Sequence, residues 1–152
     1  PKFRGLSISD DNLSVSSPQI NKKIAFPSNQ RIADAFDGLV VHSCGPWTHT
    51  MKMLPGMNNI MAVEGSIHSD NDPNPNDPAD VHDALAGSGI IVKVRTSNRW
   101  QTAVEQIQEL VSPDMQVIIQ LPRDEDDDDR YQKTAEENYK RVREALDKIY
   151  ET

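Results

Sequence analysis

Gly38-Leu39-Val40-Val41-His42-Ser43-Cys44-Gly45 is the stretch on which the reading of this chain turns. The run Leu39 to His42 has the branched, apolar composition of a short strand, and a histidine and a cysteine stand where that strand ends. Four further runs have the same character: Leu6 to Ser9, Ile60 to Val63, Ile90 to Val94 and Met115 to Leu121. Near-continuous apolar runs, rather than strict alternation, predict a parallel sheet covered on both faces.

Helical patterns fall between these runs. Ser17 is placed to cap a helix with Pro18 in its first turn, and Ile20 and Ile24 lead to Phe26-Pro27, where the proline predicts a break. Ile32, Ala33, Ala35 and Phe36 continue a second piece that stops near Gly38. Trp47 to Leu54 and Pro78 to Leu85 read as short helices, the latter closed by Gly87. Trp100, Ala103, Val104, Ile107, Leu110 and Val111 keep helical spacing up to Ser112-Pro113. In the last segment, Thr134 and Glu137 form a capping-box pair ahead of Tyr139, Val142, Leu146 and Ile149. Between two of these elements, Ser66 to Asp77 is rich in Ser, Asn, Asp and Pro, and predicts an exposed loop.

Strand and helix thus alternate five times over 152 residues, which makes the chain a single α/β domain of right-handed βαβ units. Two architectures fit this pattern. A five-stranded doubly wound parallel sheet is complete at this length, whereas a (β/α)8 TIM barrel needs about 250 residues and would be present here as its C-terminal five units.

Composition narrows the function. Hydrophobic residues make up 36 % and charged residues 26 %, a globular balance with no apolar stretch of the ~18 residues that a membrane helix needs. The one cysteine, Cys44, excludes an internal disulfide, and residues 1–15 lack the pattern of a secretory signal; a cytoplasmic chain with no membrane partner is the expectation. The net charge is -8, much of it from the six acids Asp124 to Asp129. The only basic cluster, Lys140, Arg141 and Arg143, lies beside glutamates, so nucleic acid is not expected as a partner.

Gly5-Leu6-Ser7-Ile8-Ser9-Asp10-Asp11, then Ser17-Pro18, Phe26-Pro27 and Arg31-Ile32, resembles the middle of uroporphyrinogen decarboxylase family proteins. Val41-His42-Ser43-Cys44-Gly45 with Leu54-Pro55-Gly56 is similar to the histidine-x-cysteine-glycine segment of that family's corrinoid-linked methyltransferase branch. The resemblance runs from Gly5 to Ile149. It implies a TIM barrel whose N-terminal portion lies upstream of Pro1, and it implies that His42 and Cys44 are zinc ligands in a thiol-activating site. The family's second cysteine has no counterpart at Gln120-Leu121-Pro122-Arg123, nor does that position carry the histidine-glycine element of the decarboxylase branch.

The residues themselves admit this chemistry. His42 and Cys44 stand two apart on a strand, so they point to one face, at the strand end where parallel barrels place functional groups. Zinc takes imidazole and thiolate, and a catalytic zinc site has three protein ligands. Glu64, ending the next strand, is the expected third ligand, with His68 as the alternative in the loop beyond. His49 and His82 are expected at the surface. Asp10 and Asp11 follow the first strand and read either as pocket-facing substrate-binding groups or as turn formers. Arg95, ending the fourth strand, is a candidate substrate clamp because its fork can hold a carboxylate or phosphate through two bonds; a loop salt bridge is the competing reading.

The Asp124 to Asp129 run lacks the glycine and spaced glutamate of an EF-hand and predicts a solvated loop ahead of the last helix. Dinucleotide, P-loop and serine-hydrolase signatures are absent, as is the D-x-H-x-x-G element of cobalamin carriers, so a corrinoid would arrive on a separate protein. The expected function is zinc-assisted methyl transfer with a corrinoid- or tetrapyrrole-linked substrate. The alternatives are a uroporphyrinogen decarboxylase-type lyase and a non-catalytic ligand- or partner-binding module. Taken alone the chain is expected to be inactive, and to associate with itself or with the missing part of the barrel.

Overall fold

A computed structural model describes residues 4–120 and 128–150, and of residues 128–135 the backbone alone. Five strands, β1 (Leu6–Ser9), β2 (Leu39–His42), β3 (Ile60–Ser66), β4 (Ile91–Arg95) and β5 (Gln116–Gln120), form one sheet in the order β1-β2-β3-β4-β5. Every neighbouring pair is parallel. The chain is therefore α/β, with a five-stranded all-parallel sheet flanked by helices. Among the described residues no helix is long and apolar enough to cross a membrane.

Register sorts the side chains into two rows. Val41, Val63, Val92 and Val117 stand level across four strands, and because side chains alternate along a strand they share one face with Leu39 and Val94. Leu39, Val41, Val63, Val92 and Val94 are all buried, in one hydrophobic cluster with Leu13, Trp47, Met51, Leu85, Ile107 and Leu110 from the helical segments. Each of the larger of these contributes roughly 1.5–3 kcal/mol by leaving water. The opposite row differs. Val40, His42, Glu64, Ile91, Lys93 and Arg95 are half-buried, while Gln116, Ile118 and Gln120 are exposed. The expectation of a sheet covered on both faces is thus corrected: β2, β4 and β5 alternate between core and a more open face, because Lys93, Arg95 and the glutamines interrupt the apolar runs on one side only.

The helices make a continuous row. They are α1 (Asn12–Val15), α2 (Pro18–Lys23), α3 (Ala25–Ala35), α4 (Thr48–Met51), α5 (Pro78–Leu85), α6 (Trp100–Leu110) and α7 (Asp128–Tyr150). Helix α2 packs on α3 and α4, α4 on α5, α5 on α6, and α6 on α7. At the last junction the Arg141 guanidinium lies 5.8 Å from the centre of the Trp100 ring, and Ala145 is buried.

Local signals hold in several places and shift in others. Ser17 accepts the Ile20 N–H and caps α2, with Pro18 in the first turn. The break between the first two helical pieces falls at Ile24, not at Phe26-Pro27. Pro27 sits in the first turn of α3, where a backbone N–H has no helical partner to lose, so it opens the helix instead of ending it. Asp77 caps α5 through the Ala79 and Asp80 N–H groups. Helix α7 begins at Asp128, so Thr134 is interior to it and the capping-box reading is corrected. Asp128 and Asp129 of the acidic run belong to that helix; Asp124 to Asp127 and Leu121-Pro122-Arg123 lie outside the described residues.

The turns into two strands are constrained at their amino ends. Asp37 and Asn59 adopt left-handed backbone just before β2 and β3, with φ of 56° and 59°. Gly38 has φ 153°, and a Cβ there would run into the Met61 side chain. A side chain at Gly38 is disfavoured on both counts.

Candidate metal centre at the carboxyl ends of the strands

The carboxyl end of the sheet collects the candidate residues. His42, Glu64 and Lys93 stand level on β2, β3 and β4, and Ser66 and Arg95 stand level two residues further on. The Ser43 N–H continues the ladder to the Glu64 carbonyl at 3.4 Å, which sets Cys44 toward the level of Ser66 and Arg95. After β2 the chain turns at Gly45, whose φ is 75°.

Asp11, His42 and Cys44 form the cluster: one ligand atom from each lies within 4.8 Å of the other two. Cys44 Sγ is 3.5 Å from His42 Nε2, so Nε2 is the ring nitrogen turned to the cluster. His42 Nδ1 is buried and has no hydrogen-bond partner; the outer hydrogen bond that usually orients a zinc-ligating histidine is missing among the described residues. Asp11 Oδ1 accepts the Cys44 N–H at 2.9 Å, which fixes the carboxylate beside the thiol.

The cysteine is exposed, yet its thiol titrates above its ordinary value. What desolvation it has pushes it up, the nearby charges of Asp11 and Asp72 push it further, and Arg95 pulls it back. A free thiol here is protonated at neutral pH, and a bound cation would be needed to hold it as thiolate.

Glu64 does not join this cluster. It pairs with Lys93 at 3.2 Å, because register sets a lysine beside it on the next strand; Asp11 from the β1 end takes the place expected for it. His68 is likewise engaged elsewhere, with Nδ1 3.2 Å from Asp70 Oδ2 and accepting the Asp70 N–H at 3.1 Å. Asp10 accepts from Asn29 at 3.0 Å and from Asn12 at 3.4 Å, and it lines a cleft of about 310 Å³ with Asn12, Ser16, Asn21 and Asn29. Arg95 makes no ion pair among the described residues, and its Nε is buried without a partner. His49 and His82 are half-buried rather than at the surface. They lie 3.2 and 3.0 Å from the carbonyls of Ser16 and Leu110.

Sequence reasoning missed what holds the site. The Ser66–Asp77 segment, expected to be an exposed loop, folds back over the end of β2. Asp72, 8 % exposed, accepts the Gly45 N–H at 2.7 Å. Asn76, 2 % exposed, accepts the Trp47 N–H at 2.8 Å and donates to the Gly45 and Ser66 carbonyls at 3.2 and 3.1 Å. Asn71 donates to the Thr96 carbonyl at 2.6 Å, and Asp70 accepts from Ser97 and Asn98 at 3.0 and 2.7 Å. Short polar side chains that signal a loop are also the ones that satisfy buried backbone groups. The one usable sign was that four Asn and Asp residues, at 70, 71, 72 and 76, directly follow a strand end.

No protein-family model matches the chain, and no curated protein or solved structure matches it.

Proposed function

We propose that Asp11, His42 and Cys44 hold a zinc ion at the carboxyl end of a barrel sector, and that the site activates a thiol for methyl transfer. The observation that carries this reading is the meeting of imidazole, thiol and carboxylate within 4.8 Å on the ends of two strands. Three such ligands leave a fourth tetrahedral position open, the arrangement of catalytic rather than structural zinc. Zinc there would supply the charge that keeps sulfur deprotonated near neutral pH. The chain's own part is positional: Asp72 and Asn76 fix the Cys44–Trp47 backbone, and Asp11 binds the Cys44 N–H while offering its carboxylate to the site.

The barrel-sector reading is favoured by the strand order. It runs from β1 to β5 without reversal, whereas a doubly wound sheet reverses at a switch point and has helices on both faces. A single row of helices and a polar, half-open opposite face are what one side of a barrel presents. The resemblance of His42-Ser43-Cys44-Gly45 to the corrinoid-linked branch of the uroporphyrinogen decarboxylase family supplies the reaction class, with the corrinoid on a separate protein. Cobalt(II) loading of the full chain tests the site. A sulfur-to-cobalt absorption band that vanishes in Cys44→Ser supports it, and a spectrum indifferent to Cys44 overturns it.

A further inference from the structure

Among the described residues Arg95 is a charged group with no counter-ion, on a face where the other charges are engaged. Lys93 and Glu64 pair with each other at 3.2 Å. Asp11 is bound to the Cys44 N–H, and Asp72 to those of Gly45 and Asn74. The Arg95 side chain is half-buried, its Nε is shielded from water and unpartnered, and it stands on the same face as His42 and Glu64 by register. A buried, unpartnered Nε–H costs free energy that a bound acceptor would recover.

We propose that Arg95 is an oxyanion subsite of the same site, so that the substrate carries a carboxylate or phosphate group held by the Arg95 fork while its reacting thiol lies beside the Asp11–His42–Cys44 cluster. The assignment of a reacting end rests on the zinc reading; the anion site itself does not. Strands β2 and β4 are two spacings apart, roughly 9–10 Å, and an arginine side chain covers part of that distance. The anionic group is therefore several bonds from the reacting sulfur. A neutral zinc site, with two anionic ligands balancing the ion, leaves the charge of Arg95 free for the substrate.

The test is titration of the metal-free full chain with inorganic phosphate and, separately, with propionate, followed through the Arg95 Nε–Hε resonance. Metal-free protein is used so that an anion bound to zinc is not counted. Saturable binding of one probe, weakened about tenfold or more in Arg95→Gln and partly retained in Arg95→Lys, supports the subsite. Preference for phosphate assigns a phosphate ester, and preference for propionate a carboxylate. No response of the wild-type resonance to either anion, or equal binding by a folded Arg95→Gln, overturns it. Failure here leaves the zinc result standing, and a chain that binds no zinc leaves this result standing.

Discussion

The Asn76 side-chain oxygen accepts the backbone N–H of Trp47 at 2.8 Å, joining the loop after β3 to the loop after β2 across 29 positions of sequence. Both residues are buried, at 2 % and 0 % exposure, so water cannot replace the bond. Asn76→Ala leaves the Trp47 N–H and the Gly45 and Ser66 carbonyls without this partner, and is expected to cost about 2–4 kcal/mol. Urea denaturation measures it, and a loss under about 0.5 kcal/mol would show that the clamp is not structural.

Gly38→Ala is expected to destabilise by about 1–3 kcal/mol, because the new methyl meets Met61 Sδ and the backbone is in a region that side chains resist. Met61→Ala removes the steric part alone. The double variant should therefore recover some but not all of the loss, a result read from thermal midpoints of the four proteins in the cycle.

Asp70 titrates below its ordinary value, chiefly because the Asn98 N–H donates to it, with the Ser97 hydroxyl, His68 and Arg99 adding to that. A depressed carboxyl stabilises the fold fully above its unfolded pKa and loses that contribution as pH falls through the folded one. The Asp70–Asn98 link should thus hold at neutral pH and open only below the ordinary aspartate range of about 3.9. The Asn98 amide proton reports it. An Asn98 signal that shifts with a midpoint above that range contradicts the assignment, and Asp70→Asn should abolish the shift.

Ile118 on the open face is 51 % accessible, and Met61 and Leu6 near the amino ends of β3 and β1 are 42 % and 39 % accessible, in a sheet with two parallel edge strands. Such edges recruit further strands. Light scattering on the isolated chain at low micromolar concentration is expected to show self-association that Ile118→Lys reduces. A monomer that unfolds in one cooperative step argues instead for a sheet that needs no further units.

Much of the fold was legible because the local signals agreed with one another. Short apolar segments mark all five strands, those of β2 to β5 with Ile and Val, and Ser17-Pro18 and Asp77-Pro78 mark two helix starts. The uncovered face was harder to see, since Lys93 and Arg95 alternate with valines over only five residues of β4. In the site, the His42–Cys44 pair followed from period-two spacing along a strand. Asp11 was read as a substrate-binding group or a turn former, and Glu64 was given the place in the cluster beside His42 and Cys44 that Asp11 occupies. Which of two carboxylates reaches a neighbouring thiol depends on cross-strand register, and Lys93 beside Glu64 decides it here. The contributions of Asp72 and Asn76 are tertiary, and loop composition carries no trace of the partners they choose.

Zinc content tests the central claim most directly. The full chain, dialysed against zinc and then against buffer, is expected to retain one zinc per molecule, and Asp11→Ala, His42→Ala and Cys44→Ser should each lower its affinity about ten- to a hundredfold or more, whereas Glu64→Gln should leave it within about twofold. A chain that emerges metal-free, or that loses zinc on changing Glu64 but not Asp11, would contradict the account.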